Sequence, residues 1–185
     1  MICWICKSDK SLLSESIALV GYRATGKTTV GKIVASRLGW DFVDMDELLV
    51  KRLGMTINDW VRLYGWNAFR DEETRLLKEL SGEKHIVVAT GGGVVERAEN
   101  RNMLKENFIV VWLYCPLEEI VNRLEKDEKS SDYRPSLTGL GLIEEVSHVL
   151  SLREPLYCEV AHITVDVSNK SPEIISEDIL KAFCP

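Results

Sequence analysis

One octet limits this chain more than any other feature: Gly21-Tyr22-Arg23-Ala24-Thr25-Gly26-Lys27-Thr28, directly after the apolar run Ile17-Ala18-Leu19-Val20. The spacing G-x-x-x-x-G-K-T makes a phosphate-binding loop when it joins a buried strand to a helix. Both flanks are present, because the helical pattern Val30, Ile33, Val34, Leu38 follows the loop. A chance match in a surface turn would not carry both. In such a loop consecutive backbone N–H groups point at one phosphate chain, and the helix adds the positive end of its dipole. Lys27 is expected to reach the β- and γ-phosphates and Thr28 to hold Mg2+.

Short apolar runs then alternate with helical patterns. Ile17 to Val20, Phe42-Val43, Ile86 to Ala89, Ile109 to Leu113 and Ile163 to Val165 read as strands. This alternation predicts right-handed crossovers, a parallel sheet with helices on both faces, and ligands at the carboxyl ends of the strands. The 185 residues suit one domain: an N-terminal extension over 1–15 and a phosphate-loop domain over 16–185. The one polar, breaker-rich stretch, about 126–141, carries charges, serines, Pro135, Gly139 and Gly141 and reads as a lid.

A formal charge of -6 argues against broad binding to nucleic acid or anionic membrane, since counterion release needs a basic surface. Ligand chemistry must therefore come from locally placed cations. No run approaches the roughly 18 to 20 apolar residues of a membrane span, and no secretory h-region opens the chain, so the expectation is a cytoplasmic protein. Five scattered cysteines argue against a disulfide framework. Cys3 and Cys6 form one C-x-x-C, which lacks the second ligand pair zinc requires and the strand-to-helix junction redox chemistry favours. It reads as part of an apolar extension.

Asp44 and Asp46 lie just past the second strand. In extended chain they share a face, so one can help hold Mg2+ while the other positions or deprotonates an attacking hydroxyl. Capping of the next helix explains one of them equally well. In Phe69-Arg70-Asp71-Glu72-Glu73, Glu73 can pair with Arg70 along one helical face and hold the guanidinium outward, where its planar fork suits a carboxylate. An exposed salt bridge is the alternative. Gly91-Gly92-Gly93 removes every Cβ at a strand end, which lets a ligand approach the backbone. Arg134 falls in the lid and Arg153, in Arg153-Glu154-Pro155-Leu156-Tyr157, falls in the helix beyond it. A closing cation and a second anion-pocket arginine are their candidate roles. The three histidines have no metal-ligand spacing, and the tryptophans read as core or cleft wall.

In this order, the phosphate loop, D-M-D, F-R-D-E-E, G-G-G, the R-P lid and R-E-P-L-Y resemble shikimate kinase from about Ile17 to Leu180. The resemblance implies a P-loop, nucleoside-monophosphate-kinase-like three-layer α/β sandwich. Its five-stranded parallel sheet runs in the order 2-3-1-4-5, with helices on both faces and a mobile lid. It implies ATP-dependent phosphorylation of the 3-hydroxyl of shikimate, giving shikimate 3-phosphate and ADP in aromatic amino acid biosynthesis. Asp46 would orient or deprotonate that hydroxyl, and Arg70, Arg153, Gly91, Gly92 and Gly93 would hold the acceptor. Lys27 and Arg134 would stabilise charge on the moving phosphoryl group. ATP would lie against Gly21, Arg23, Ala24, Thr25, Gly26, Lys27, Thr28, Thr29 and Arg134, with Arg123 and Ser168 on the adenine side. Thr28 and Asp44 would serve Mg2+. The expected partners are ATP and shikimate, without nucleic acid or membrane, and the expected state is a monomer.

Three departures stand against that pattern. Ala24 occupies a loop position where the family often has glycine, which costs about 1 kcal/mol if φ is positive there. The lid is long and charged, and the head before Ser16 has no assigned counterpart. Two rival readings are a kinase of gluconate or a nucleoside monophosphate, and a nucleotide-binding regulatory domain. The latter should lack one of Lys27, Asp44, Asp46, Arg70, Arg134 and Arg153, and all are present. A redox or zinc protein built on Cys3 and Cys6 is a third.

Overall fold

Alternating side chains build two cores from one sheet, because successive strand residues point to opposite faces. Ile17 and Leu19 enter one hydrophobic cluster while Ala18 and Val20 enter the other. Val87 parts in the same way from Ile86 and Val88. The computed structural model describes residues 15–126 and 141–183. Its strands are β1 (Ile17–Val20), β2 (Asp41–Asp44), β3 (Ile86–Ala89), β4 (Ile109–Tyr114) and β5 (Ile163–Asp166), all parallel, in the order 2-3-1-4-5. The expected sheet is present in the expected order.

Helices α1 (Lys27–Leu38), α5 (Leu117–Lys126), α6 (Leu142–Val160) and α7 (Pro172–Phe183) supply one face through residues such as Val30, Ile120, Val149 and Ile179. Helices α2 (Met45–Leu53), α3 (Ile57–Leu80) and α4 (Ala98–Asn107) supply the other through Met45, Leu76 and Leu104. Helix α6 serves both, since Tyr157 and Val160 near its end join the second cluster. Burial on both faces explains why the central strands β1, β3 and β4 read as continuous apolar runs rather than alternating ones.

Helix α3 is broken at Gly65 (φ 81°, ψ 166°), so two helical pieces meet at a bend just before Phe69 and Arg70. The register pairs Asp44 with Ala89 and Tyr114 with Asp166, which brings the carboxyl ends of the strands to one edge. There the phosphate loop leaves β1, α2 leaves β2 and the glycine triplet leaves β3. No described helix is long and apolar enough to cross a membrane. The extension with Cys3 and Cys6, and the lid with Arg134, fall on residues outside those described.

Candidate active site

The phosphate loop is held by its own backbone. Gly21 has φ 142°, and a Cβ there would come within 2.7 Å of the Leu113 carbonyl, so glycine is required by conformation and by contact with β4. Thr25 Oγ1 donates to the Tyr22 carbonyl at 2.9 Å, and Lys27 Nζ donates to the carbonyls of Gly21 at 2.9 Å and Tyr22 at 2.7 Å. The lysine therefore lies along the inner curve of the loop. Ala24 has φ 64°, so alanine carries the left-handed strain anticipated for it.

Arg123 ties this loop to the far edge of the sheet. Its Nη1 donates to the Ala24 carbonyl at 3.1 Å and its Nη2 to the Val167 carbonyl at 3.1 Å, with Glu119 pairing behind it. One guanidinium thus joins the phosphate loop to the segment expected beside adenine. Beside Val167, Ser168 donates from its backbone N at 2.8 Å and from Oγ at 2.5 Å to Asp166 Oδ1.

Asp44 is the one of the two acids that caps the helix. It ends β2 and caps α2, accepting from the backbone N–H of Asp46 at 3.0 Å and Glu47 at 3.2 Å through Oδ1. Its other oxygen accepts the Thr28 hydroxyl at 2.6 Å. Carboxylate and hydroxyl oxygens are the donors Mg2+ prefers, and both stand beside the phosphate loop, so this pair fits that ion. Asp46 departs from the extended geometry expected of it: helix α2 begins at Met45, so Asp46 lies in the first helical turn.

A half-open cleft lies beside the loop, lined by Asp46, Arg70, Glu73 and Arg153 against an apolar side of Ile57, Trp66 and Phe69. Arg70 is not the outward-held guanidinium expected from its helix: it is 8% exposed, and its Nη1 bonds Glu73 Oε2 at 2.9 Å. Its guanidinium stacks over Trp66 and Phe69 at 5.2 and 5.6 Å. Burial by itself would lower the pKa of Arg70, but the carboxylates of Glu73 and Glu96 outweigh it and the net shift is upward.

Glu73 is fully enclosed. Burial pushes its carboxyl up to about 7; Arg70 opposes the rise and Asp46 and Glu96 reinforce it. Its Oε1 has no hydrogen-bond partner among the described residues.

The glycine triplet has a reason beyond ligand approach. A Cβ on Gly93 would lie 2.0 Å from Arg70 Nη2, and one on Gly91 would lie 2.6 Å from Glu73 Oε1 and 2.9 Å from Asp46 Oδ1. The protein's own charged groups fill that space. Gly92 is different, since a Cβ there would meet neighbours at ordinary distances of 3.5 to 3.6 Å. Its carbonyl accepts the Tyr157 hydroxyl at 2.5 Å.

The fold thus brings Lys27, Thr28, Asp44, Asp46, Arg70, the glycine triplet and Arg153 to one edge. Three contributors were not singled out in the sequence. Glu96, in the 3-10 turn Val94–Glu96, accepts from both Arg70 and Arg153. Glu145 pairs with Arg23 of the loop at 2.8 Å, and Tyr157 anchors Gly92. The R-E-P-L-Y segment contained Tyr157, but the two glutamates carried no local signal.

A family model described as Shikimate kinase matches residues 23–184. A shikimate kinase of Nitratidesulfovibrio vulgaris is 45% identical over 149 residues, covering 80% of this chain and 85% of the relative. Shikimate kinase 2 of Escherichia coli is 42% identical over 165 residues, covering 89% and 94%. Among solved structures, a shikimate kinase from Acinetobacter baumannii in complex with shikimate superposes with a TM-score of 0.85 at 36% identity, covering 92% of this chain and 93% of that one.

Proposed function

The chain belongs to the shikimate kinase family, and on that premise we propose that it transfers the γ-phosphoryl group of ATP to the 3-hydroxyl of shikimate. The observation that carries the reading is the convergence of Arg70 and Arg153 with Asp46 on one cleft beside the phosphate loop. Two guanidiniums suit the single carboxylate of the acceptor, and the aspartate suits its hydroxyls.

In the reaction the hydroxyl oxygen forms a bond to the γ-phosphorus as the bond from that phosphorus to the β,γ-bridging oxygen breaks, releasing ADP. Asp46 accepts the hydroxyl proton or orients it. Arg70 and Arg153 hold the acceptor so that only one hydroxyl faces the phosphate, which converts an encounter into a positioned attack. Lys27 offsets the charge that moves onto the phosphoryl oxygens, and Arg134 joins it by family resemblance. Arg123 and Ser168 lie on the adenine side. Mg2+, when bound by Thr28 and Asp44, supplies charge neutralisation at the phosphates. Cytoplasmic location and a monomeric state complete the proposal, the latter because both faces of the sheet are covered.

ADP release from Mg-ATP, measured with shikimate, gluconate and a nucleoside monophosphate offered separately, tests it. Turnover with shikimate alone is expected. Turnover with another acceptor would overturn the pocket reading, and nucleotide binding without any turnover would favour a regulatory domain.

A further inference from the structure

The Glu96 carboxylate divides itself between the two arginines of the cleft. Its Oε2 accepts from Arg70 Nε at 2.9 Å, and its Oε1 accepts from Arg153 Nε at 2.9 Å and Nη2 at 2.5 Å. These arginines belong to α3 and α6, 26 and 57 residues from Glu96 in the chain. Two guanidiniums side by side in a partly dry cleft repel each other, and the carboxylate between them offsets that repulsion.

Glu96 engages both guanidiniums at the Nε edge. Arg70 Nη2 and Arg153 Nη1 lie instead against Gly93 and Gly92 in the cleft wall. A substrate carboxylate can therefore approach terminal nitrogens without displacing Glu96. Carboxylates hold two nitrogens of each guanidinium, Arg70 Nε and Nη1 and Arg153 Nε and Nη2, so an acceptor carboxylate would meet one terminal nitrogen from each arginine, Arg70 Nη2 and Arg153 Nη1.

The turn that carries Glu96 is itself locked. Asn100 Nδ2 donates to the Val94 carbonyl at 3.0 Å, and Arg101 Nη1 donates to the carbonyls of Val95 at 2.9 Å and Glu96 at 3.2 Å. Side chains of α4 thus hold every carbonyl of the turn. The Glu96 side chain remains 39% exposed, so packing is a small part of its work.

We propose that Glu96 is a positioning residue for the acceptor carboxylate: by spanning Arg70 and Arg153 it sets their spacing and orientation, and so selects a monocarboxylated acceptor. This rests on the functional reading above. Two variants test it. Glu96→Ala removes the bridge, while Glu96→Asp keeps the charge but loses the reach needed for both arginines.

Both variants are expected to raise KM for shikimate by about tenfold or more, the cost of loosening a charge-assisted pair, with the loss in KM far exceeding the loss in kcat and KM for ATP little moved. With the methyl ester of shikimate, which lacks the carboxylate charge, kcat/KM should be nearly the same for wild type and variants. A lowered or unchanged shikimate KM in Glu96→Ala would overturn the proposal, as would an Asp variant that matches wild type. So would an equal loss on acid and ester, the mark of a general structural defect. Absence of shikimate turnover by wild-type protein would instead overturn the functional reading itself.

Discussion

Arg70 and Glu73, three residues apart on α3, form an ion pair at 2.9 Å in which the carboxylate is fully enclosed and the guanidinium nearly so. Such a pair is poor evidence for stability, because removing two charges from water offsets most of their attraction. Its value lies in placement. Glu73 holds one side of Arg70, Glu96 holds another, and the rings of Trp66 and Phe69 fix the plane of the guanidinium.

Glu73 should make stability depend on pH. Burial raises its folded pKa to about 7, above the 4.5 of an ordinary glutamate. The protonated form is therefore favoured in the fold, so its stabilisation is complete below about pH 4.5 and is lost as pH rises through about 7. Thermal unfolding of wild type and Glu73→Gln, followed from about pH 5 to pH 8, should show wild type losing Tm relative to the variant as pH rises. Parallel curves would remove Glu73 from the pH response.

Asp46→Asn should act on the reaction rather than on nucleotide binding. Loss of a proton acceptor costs roughly 10²- to 10⁴-fold in kcat, while ATP affinity should stay within about twofold. Steady-state kinetics together with nucleotide titration separate the two. An equal loss in both would point to Asp46 as a support of the nucleotide site.

The glycine triplet gives a graded test. In Gly93→Ala the new methyl would fall 2.0 Å from Arg70 Nη2, so the guanidinium must move. The expected result is a loss of about 1–3 kcal/mol of stability and a raised KM for shikimate. Gly92→Ala meets only ordinary contacts at 3.5 to 3.6 Å and should be much milder. Equal effects in urea unfolding and kinetics would show that the backbone, not Arg70, sets the requirement.

Ala24→Gly should stabilise the protein. Alanine at φ 64° carries about 1–2 kcal/mol of left-handed strain, and the extra freedom of glycine in the unfolded chain takes back about 0.4–1 kcal/mol. The net gain expected in chemical denaturation is therefore on the order of 0.5–1 kcal/mol. A loss of stability would mean that the alanine methyl makes contacts that outweigh its strain.

Local pattern determined much of this protein. Apolar runs flanked by helical periodicity marked the strands, the phosphate loop tied the first of them to a helix, and each chemical motif among the described residues followed a strand or lay on a helix that packs there. The fold followed because parallel crossovers place every strand end on one edge. What tertiary structure alone decided is how the charges pair. Glu96 reaches Arg70 and Arg153 across 26 and 57 residues, and Glu145 reaches Arg23 across 122. Nothing near those glutamates in the chain distinguishes them from solvated ones. Likewise the room denied to Gly91 and Gly93 is taken by side chains from α2 and α3, not by neighbours in sequence. Periodicity is a property of adjacent residues and survives in a string. The pairing of buried charges depends on which distant side chains share a space from which water has been removed.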